Sequence, residues 1–495
     1  MRVAFISAEC EPYAKTGGLG DVVDALARAL GALGKDGRGH EVDAPVDVFL
    51  PCYRGLKVPS TASARPLAVP DPTAPDGVTN LRLVEFTARG YRIRLVDHPP
   101  AYDRDDYYGG PSGDYVDNGW RFGLLCRAAI EALREDGRPL DVLHLHDWHA
   151  MPAAILRDCA YADDPLISRT AVVATLHNLA YQGWLSRDQA AGMAFPDELR
   201  RAMRPHADGL LLLREGIERA ELVNTVSPGF AQEALTPAFG MGLDPILASL
   251  GNRFGGIING LDQAMWDPAT DAALPANYSP ADRSGKAECR RALLAELGWN
   301  PDDSGPVLGM IGRLDPQKGF DLLTGAAAEL VDAGARIVAL GTGDKRLVAE
   351  LRELAAARPR QVALVEAFDR ALARRIYAGA DLYLMPSRFE PCGQGQMIAL
   401  RYGTPPVVHR TGGLADTVVD VDERPGEGTG FVFDGLASRS LAHACGRAME
   451  RLHAAGPEWD AMVLRGMRID WSWEGGPAAQ YAASYRRAVA LREER

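Results

Sequence analysis

Two near-copies of one heptad, KTGGLGD at 15–21 and RTGGLAD at 410–416, each place a cation before a Thr-Gly-Gly-Leu turn. A glycine pair between a strand and a helix lets the backbone approach a ligand closely and turns amides toward an anion. Lys15 stands before Gly17 and Gly18, and Asp21 follows where a carboxylate can cap the next helix. Thr411 and Gly412 take the places of Thr16 and Gly17 in the second copy. GRLDPQKGF (312–320) sets Arg313 and Lys318 around a turn after an apolar run. Two cations and a glycine there suit a diphosphate leaving group, whose developing charge they would stabilise. SRFEPCGQGQ (387–396) brings one carboxylate, Glu390, ahead of Gly393, Gln394 and Gly395. Amides in that stretch can hold phosphate, while Glu390 either binds sugar hydroxyls or acts as a nucleophile. HLHDWH (144–149) raises the question of a metal, but zinc needs three or four converging ligands, and His144 reads as a packed strand residue. The pairs Asp103/Asp105 and Asp420/Asp422 lie in acidic, loop-like surroundings and read as solvated surface.

These residues need elements to carry them. In the second half, short β-rich runs alternate with helical stretches: PVLGMIGRL, RIVALGTG, QVALVEAF, DLYLMPS and TPPVVHR, each followed by a helix or a glycine turn. Strands apolar throughout and joined by amphipathic helices predict a parallel sheet covered on both faces, with ligands at the carboxyl ends of its strands. Arg313, Gly341, Phe368, Glu390 and Thr411 all fall at such ends. The first half reads similarly through RVAFISAE, DVLHLHDWH, TAVVATLHN and ELVNTVSP. The Pro/Ala/Thr-rich stretch 58–77 and the Asp/Tyr/Gly-rich stretch 102–118 read as surface insertions. The fold class expected is therefore α/β, two doubly wound Rossmann-like domains facing a cleft. Boundaries are drawn at 1–260, 261–473 and a C-terminal helix, 474–495, packing back on the first domain. The two heptads would then line opposite walls.

At 495 residues the chain exceeds one hydrophobic core, and its net charge of −12 argues against a nucleic-acid binder. Seven scattered cysteines without a C-x-x-C pair read as reduced thiols in a cytoplasm. The N-terminus looks like a strand and not a signal peptide, and no run of eighteen apolar residues would span a membrane. Only six of 54 cationic residues are lysine, so Lys15 and Lys318 beside glycine turns fit a need for a compact ammonium on phosphate. No G-x-x-x-x-G-K-[ST] loop is present, and no G-x-G-x-x-G follows the first strand, which sets aside P-loop nucleotide hydrolysis and a dinucleotide-dependent dehydrogenase.

Taken in order, KTGGLGDV, HDWHA, TLHNLAYQG, NTVSPGF, IINGLD, GRLDPQKG, SRFEPCGQGQMIALRYGT and RTGGLADTV resemble bacterial glycogen synthases and the related plant starch synthases. The match runs from about residue 1 to the closing WSWEGG and QYAASYRRAV. That resemblance implies a GT-B glycosyltransferase moving glucose from a nucleotide-glucose, ADP-glucose or alternatively UDP-glucose, to the non-reducing end of an α-1,4-glucan (glycogen). Configuration would be retained, with neither cofactor nor metal. It implies that Lys15, Arg313 and Lys318 contact the donor phosphates and that Glu390 orients the donor glucose. Asp147, His177 and Asn178 would line the sugar and acceptor side, and Phe368 would stack on the base. Asn259, from IINGLD, joins the donor set with Gly17, Gly18, Asp21, Gly393, Gln394, Gly395, Thr411 and Gly412. The chain departs from the family pattern at Gly395, where many relatives have Thr, at Arg214, where Lys is usual, and over 39–51, which looks a few residues longer. A glycogen phosphorylase would need a much longer chain and a cofactor-bearing lysine. A catalytically dead glucan-binding scaffold should have lost Lys15, Arg313, Lys318 or Glu390, and all four remain.

Overall fold

The computed structural model describes residues 1–33, 42, 45–110, 113–193 and 209–494. The chain divides into two compact units. The first takes Met1–Val226, Ala231–Gly260 and Trp473–Arg495; the second takes Ser227–Phe230 and Leu261–Ser472.

The first unit is built on a nine-stranded sheet. Its strands are β1 (Val3–Ile6), β2 (Asp47–Pro51), β3 (Ser63–Pro70), β4 (Val78–Ala88) and β5 (Tyr91–Asp97), then, beyond a short pair β6 (Gly109–Gly110) and β7 (Gly113–Asp114), β8 (Val142–His146) and β9 (Ala171–Leu176). A second small pair, β10 (Trp184–Ser186) and β11 (Gly209–Leu211), precedes β12 (Leu222–Thr225) and β13 (Phe254–Gly256). The sheet order is β13-β12-β9-β8-β1-β2-β5-β4-β3, parallel from β13 to β5 and antiparallel through β4 to the β3 edge. The chain begins at the centre, winds outward through β2 and β5, then crosses to β8 on the other side of β1. The switch point of the sheet therefore lies between β1 and β8. The helices Gly18–Leu33 and Pro477–Glu493 bury Leu26, Leu30, Tyr481 and Tyr485 in one cluster with Val3, Phe5, Val48 and Ile93 from the strands.

The stretch 58–77, read as an insertion, instead supplies β3. It carries Pro66 and Pro70 and exposes most of its side chains, which an edge strand tolerates because one row of its backbone groups needs no ladder partner. Of the stretch 39–51, residues 39–41, 43 and 44 lie outside the described residues, and the rest leads into β2.

The second unit has a six-stranded, wholly parallel sheet: β14 (Val307–Ile311), β15 (Arg336–Leu340), β16 (Val362–Val365), β17 (Leu382–Met385), β18 (Pro406–His409) and β19 (Phe431–Phe433). Its order is β16-β15-β14-β17-β18-β19, the doubly wound pattern with its switch between β14 and β17. The connecting helices follow from local chemistry. Asp344 accepts from the amides of Arg346 and Leu347 to open Lys345–Ala357, and Asp369 does the same for Ala371 and Leu372 at Arg370–Gly379. Leu322, Leu323, Ala326 and Leu330 of helix Phe320–Asp332 pack on Leu308, Ile337 and Leu384 beneath it. The sixth strand, β19, is three residues long and carries no predicted counterpart.

Candidate functional site

Both sheets gather their chemistry at the switch point. In the first unit, β1 runs out into Ser7–Gly17, and Glu9, 3% exposed, holds that loop. Glu9 Oε2 accepts from the amide of Thr16 at 2.6 Å and of Gly17 at 3.2 Å, and Oε1 accepts from Thr16 Oγ1 and Tyr108 OH, each at 2.6 Å. A buried carboxylate with four donors fixes the turn that carries Lys15. The Lys15 ammonium is half-buried, 2.5 Å from Asp21 Oδ1 and 3.7 Å from Glu11 Oε2. Asp21 is not the helix cap expected from the heptad; it lies in the first turn and pairs with Lys15. Gly17 and Gly18 are exposed at the tip of the turn.

Across the switch, β8 ends at His146 and delivers Asp147, buried and with φ +56°, a left-handed conformation uncommon outside glycine. Its amide donates to the Thr175 carbonyl at 3.1 Å, and its Oδ1 accepts from the His177 amide at 2.7 Å. Burial pushes the Asp147 carboxyl up to about 7, opposed by the amides of His177 and Asn178 and helped by the charge of Glu9. Burial drives His177 down to about 3, and its Nε2 lies 3.0 Å from Nδ1 of His146. Asn178, half-buried, caps its own turn by accepting from the Ala180 amide at 3.0 Å. Asn259 is buried with its Oδ1 unpartnered among the described residues.

His144 and His146 lie within β8, and His149 packs against Trp148, Phe122 and Tyr108 with ring centroids 4.1–4.9 Å apart. Burial, followed by the charge of Arg121, lowers His149 to about 3. The stretch 102–118, read as an insertion, thus sends Tyr108 inward to Glu9. Among the described residues no group of three or more His, Cys, Asp or Glu side chains is placed to hold a metal ion.

In the second unit the switch point brings together residues 72 positions apart. Lys318, after β14, sets its ammonium 2.6 Å from Oε2 of Glu390, after β17, and Ser387 Oγ donates to the same oxygen at 3.1 Å. Glu390 is 6% exposed and Lys318 half-buried. Asp315 Oδ1 accepts from the Lys318 amide at 2.8 Å and closes the DPQK turn. Arg313 is exposed, with NH2 3.2 Å from Gln317 Oε1 and NH1 3.5 Å from Asp315, so it flanks the Lys318–Glu390 pair without joining it.

The second heptad buttresses that pair. The Gly413 amide donates to the Glu390 carbonyl at 3.0 Å. Gly412, with φ +40°, leaves no room for a side chain: a Cβ would lie 2.2 Å from the same carbonyl oxygen. Thr411 is buried and precedes the helix Gly412–Thr417. Gln394 is the N-cap residue of Gly395–Arg401, without a side-chain capping bond, and Gly393 takes φ +71°. A Cβ on Gly395 would meet the Tyr383 hydroxyl at 2.9 Å, so the tyrosine occupies part of the volume that a threonine would need. Phe368 lies beyond β16, 83% exposed, with the Arg370 guanidinium 5.7 Å from its ring centre.

The acidic pairs have structural partners. Arg54 bridges Asp103 and Asp105 on the surface. Asp420 is buried, contrary to the solvated reading: its Oδ2 accepts from the Val432 amide at 2.6 Å and pairs with Arg447, which also binds Asp422. The residues that sequence reasoning missed are Glu9, Tyr108 and Ser387. Only Glu9 left a signal, an acid just past a buried strand in the segment that leads to a glycine turn.

Residues 2–249 match the family described as starch synthase catalytic domain, and residues 305–451 match glycosyl transferases group 1. The chain is 42% identical over 501 residues to a glycogen synthase of Anaeromyxobacter sp., covering 99% of this chain and all of the relative. It is 37% identical over 492 residues to the glycogen synthase of Syntrophotalea carbinolica, covering 99% of each. Among solved structures, the catalytic domain of starch synthase IV from Arabidopsis thaliana, bound to ADP and acarbose, superposes with a TM-score of 0.87 at 33% identity, over 99% of both chains.

Proposed function

Since the chain belongs to the glycogen synthase and starch synthase family of GT-B glucosyltransferases, we propose that it moves glucose from ADP-glucose to the non-reducing end of an α-1,4-glucan with retention of configuration. The observation that carries the donor side of this reading is the Lys318–Glu390 pair, an ammonium and a carboxylate 2.6 Å apart at the switch point of a doubly wound sheet. A sugar nucleotide at the carboxyl ends of β14 and β17 would lay its diphosphate along Arg313 and Lys318 and its hexose against Glu390. As the bond to the anomeric carbon breaks, negative charge grows on the phosphate, and cations already fixed there stabilise the transition state more than the ground state. Glu390, restrained by Lys318 and Ser387, orients the glucose. Phe368 offers its exposed face to the base.

Lys15 is assigned to the donor phosphate, supported by the four hydrogen bonds with which Glu9 and its neighbours fix its loop. Asp147, His177 and Asn178 are assigned to the sugar side. His177, neutral through its burial, binds without contributing charge, and Asp147 supplies the carboxylate. A glucan acceptor and an adenine nucleotide accord with the ADP and acarbose of the Arabidopsis structure. We assign the protein to the cytoplasm; no helix among the described residues is long and apolar enough to cross a membrane.

The test is incorporation of radiolabelled glucose into glycogen, with ADP-glucose and UDP-glucose side by side. Faster turnover with ADP-glucose is expected. Faster turnover with UDP-glucose would move the donor assignment, and no incorporation from either would leave a glucan-binding scaffold.

A further inference from the structure

A chain of hydrogen bonds joins the C-terminal helix Pro477–Glu493 to Asp147, and the direction of each bond in it is forced. Asn224 Nδ2 donates to the Thr225 carbonyl at 3.5 Å, an oxygen that only accepts, and to Tyr481 OH at 3.0 Å, which leaves Asn224 Oδ1 facing Thr175 as an acceptor only. Thr175 Oγ1 spends its single proton on that oxygen, at 3.0 Å. It must therefore accept from Nε2–H of His144, 2.7 Å away. His144 is fully buried, and its burial together with His177 keeps it neutral, so its one proton is on Nε2. Its Nδ1 is then an acceptor, and Tyr485 OH, 2.9 Å away, donates to it. Tyr481, Tyr485 and Thr175 are likewise buried, Asn224 nearly so, and water does not compete for these bonds.

Thr175 is the node. Its side chain closes this network, and its backbone carbonyl accepts the Asp147 amide at 3.1 Å. Asp147 sits at φ +56°, a conformation that persists only when its surroundings over-determine it. We propose that Tyr485 and Tyr481 are positioning residues: through His144 and Asn224, which meet at Thr175, they hold Asp147 in the conformation that presents its carboxylate to the sugar. The C-terminal helix would thereby set the geometry of the reaction as well as cover the sheet. This rests on the assignment of Asp147 to the sugar side.

The test is a double-mutant cycle on the full-length chain, read by kcat and by KM for glycogen and for ADP-glucose. Tyr485→Phe keeps the ring and removes the donated proton. It is expected to lower kcat about tenfold while KM for ADP-glucose stays unchanged. In an Asp147→Ala background the same change should have no further effect on kcat, because its route to the reaction is gone. Nitrogen-15 spectra of histidine-labelled protein should show the His144 Nδ1 resonance move in Tyr485→Phe. Should that variant not fold, Thr175→Val against Thr175→Ser replaces it: serine should keep wild-type kcat and valine should lose it. Equal kcat for Tyr485→Phe and wild type, or additive losses in the cycle, would overturn the proposal. Wild-type kcat in Asp147→Ala alone would instead overturn the assignment of Asp147.

Discussion

Replacing Lys318 with alanine removes the ammonium 2.6 Å from Glu390 and leaves Ser387 as the remaining side-chain donor to Glu390 Oε2 among the described residues. Two costs follow, and they separate in experiment. The first falls on the transition state. A unit charge about 4 Å from developing phosphate charge contributes roughly 4 kcal/mol at an effective dielectric of about 20. The Lys318 side chain keeps 25% of its surface in contact with solvent, which screens part of this. Roughly 3 kcal/mol remains, the size seen when one preorganised donor is deleted, or about a hundredfold in kcat. The second cost falls on the fold: the Glu390 side chain is 7% exposed, and stranding a nearly buried carboxylate costs on the order of 1–3 kcal/mol. For a unit of this size that is a few degrees of Tm. Initial rates with labelled ADP-glucose at saturating glycogen, paired with circular-dichroism melts, give both. The expected outcome is a kcat lowered about a hundredfold, a small Tm shift and a glycogen KM within about twofold of wild type. A folded Lys318→Ala enzyme with kcat within about threefold of wild type would refute leaving-group stabilisation by this cation.

Asp147→Asn should abolish an acid limb near pH 7 in kcat/KM, since burial raises the carboxyl to about 7 and its ionised form is the one assigned to the sugar. The same shift predicts a stability slope: with the folded pKa above the unfolded one, the native state binds the extra proton, so stability to urea falls as pH rises from about 4 to about 7, and Asp147→Asn flattens that fall. Glu9→Gln should keep most activity, because an amide oxygen can still accept from the Thr16 and Gly17 amides while its NH2 donates to the two hydroxyls, whereas Glu9→Leu should lower kcat by about tenfold or more; equal loss in both variants would point to the charge of Glu9 and not its anchoring. Phe368→Ala should raise KM for ADP-glucose by about tenfold, the scale of one base–aromatic stack, with Phe368→Tyr near wild type, and an unchanged KM in the alanine variant would remove the stacking role.

Much of the fold was legible because buried parallel strands announce themselves. VLGMI, RIVAL and LYLM are apolar runs bounded by glycine or proline turns, and each became a central strand. What escaped were elements whose burial is one-sided or brief. The strand at Ser63–Pro70 exposes alternate residues and carries two prolines, so its composition is that of a loop, and its β character comes from pairing with Val78–Ala88. The three residues of Phe431–Phe433 are too few to show a period. At the candidate site, residue types were readable and partnerships were not. Lys318 and Glu390 each stood out beside a glycine turn, yet nothing in two segments 72 residues apart says that their side chains meet. Glu9 looked like any acid after a strand until its four donors were in place. Asp420 looked solvated because its neighbours in sequence are charged, whereas the Arg447 that permits its burial stands 27 positions on.

The two heptads show how far a local resemblance carries. KTGGLGD follows β1, the strand at the switch point of its sheet, and its cation stands at that crevice. RTGGLAD follows β18, the fifth strand of its sheet in chain order, one position outside the switch. Its Arg410 pairs with Asp434, 3.0 Å away, and with Glu423. Its Asp416 accepts from the Gly229 amide at 2.7 Å, where Asp21 pairs with Lys15. What the second copy contributes to Glu390 is backbone: the Gly413 amide and the side-chain-free Gly412. The repeated letters therefore do not fix one geometry: Gly412 takes φ +40°, whereas its counterpart Gly17 stays outside the left-handed region, and the strand order decides what each turn faces. In the second sheet the place held by Lys15 and Asp147 in the first, a cation after the central strand and a carboxylate after its neighbour across the switch, is taken by Lys318 and Glu390, which share no motif with them. Positional correspondence between the halves follows topology, and the sequence repeat pairs different residues.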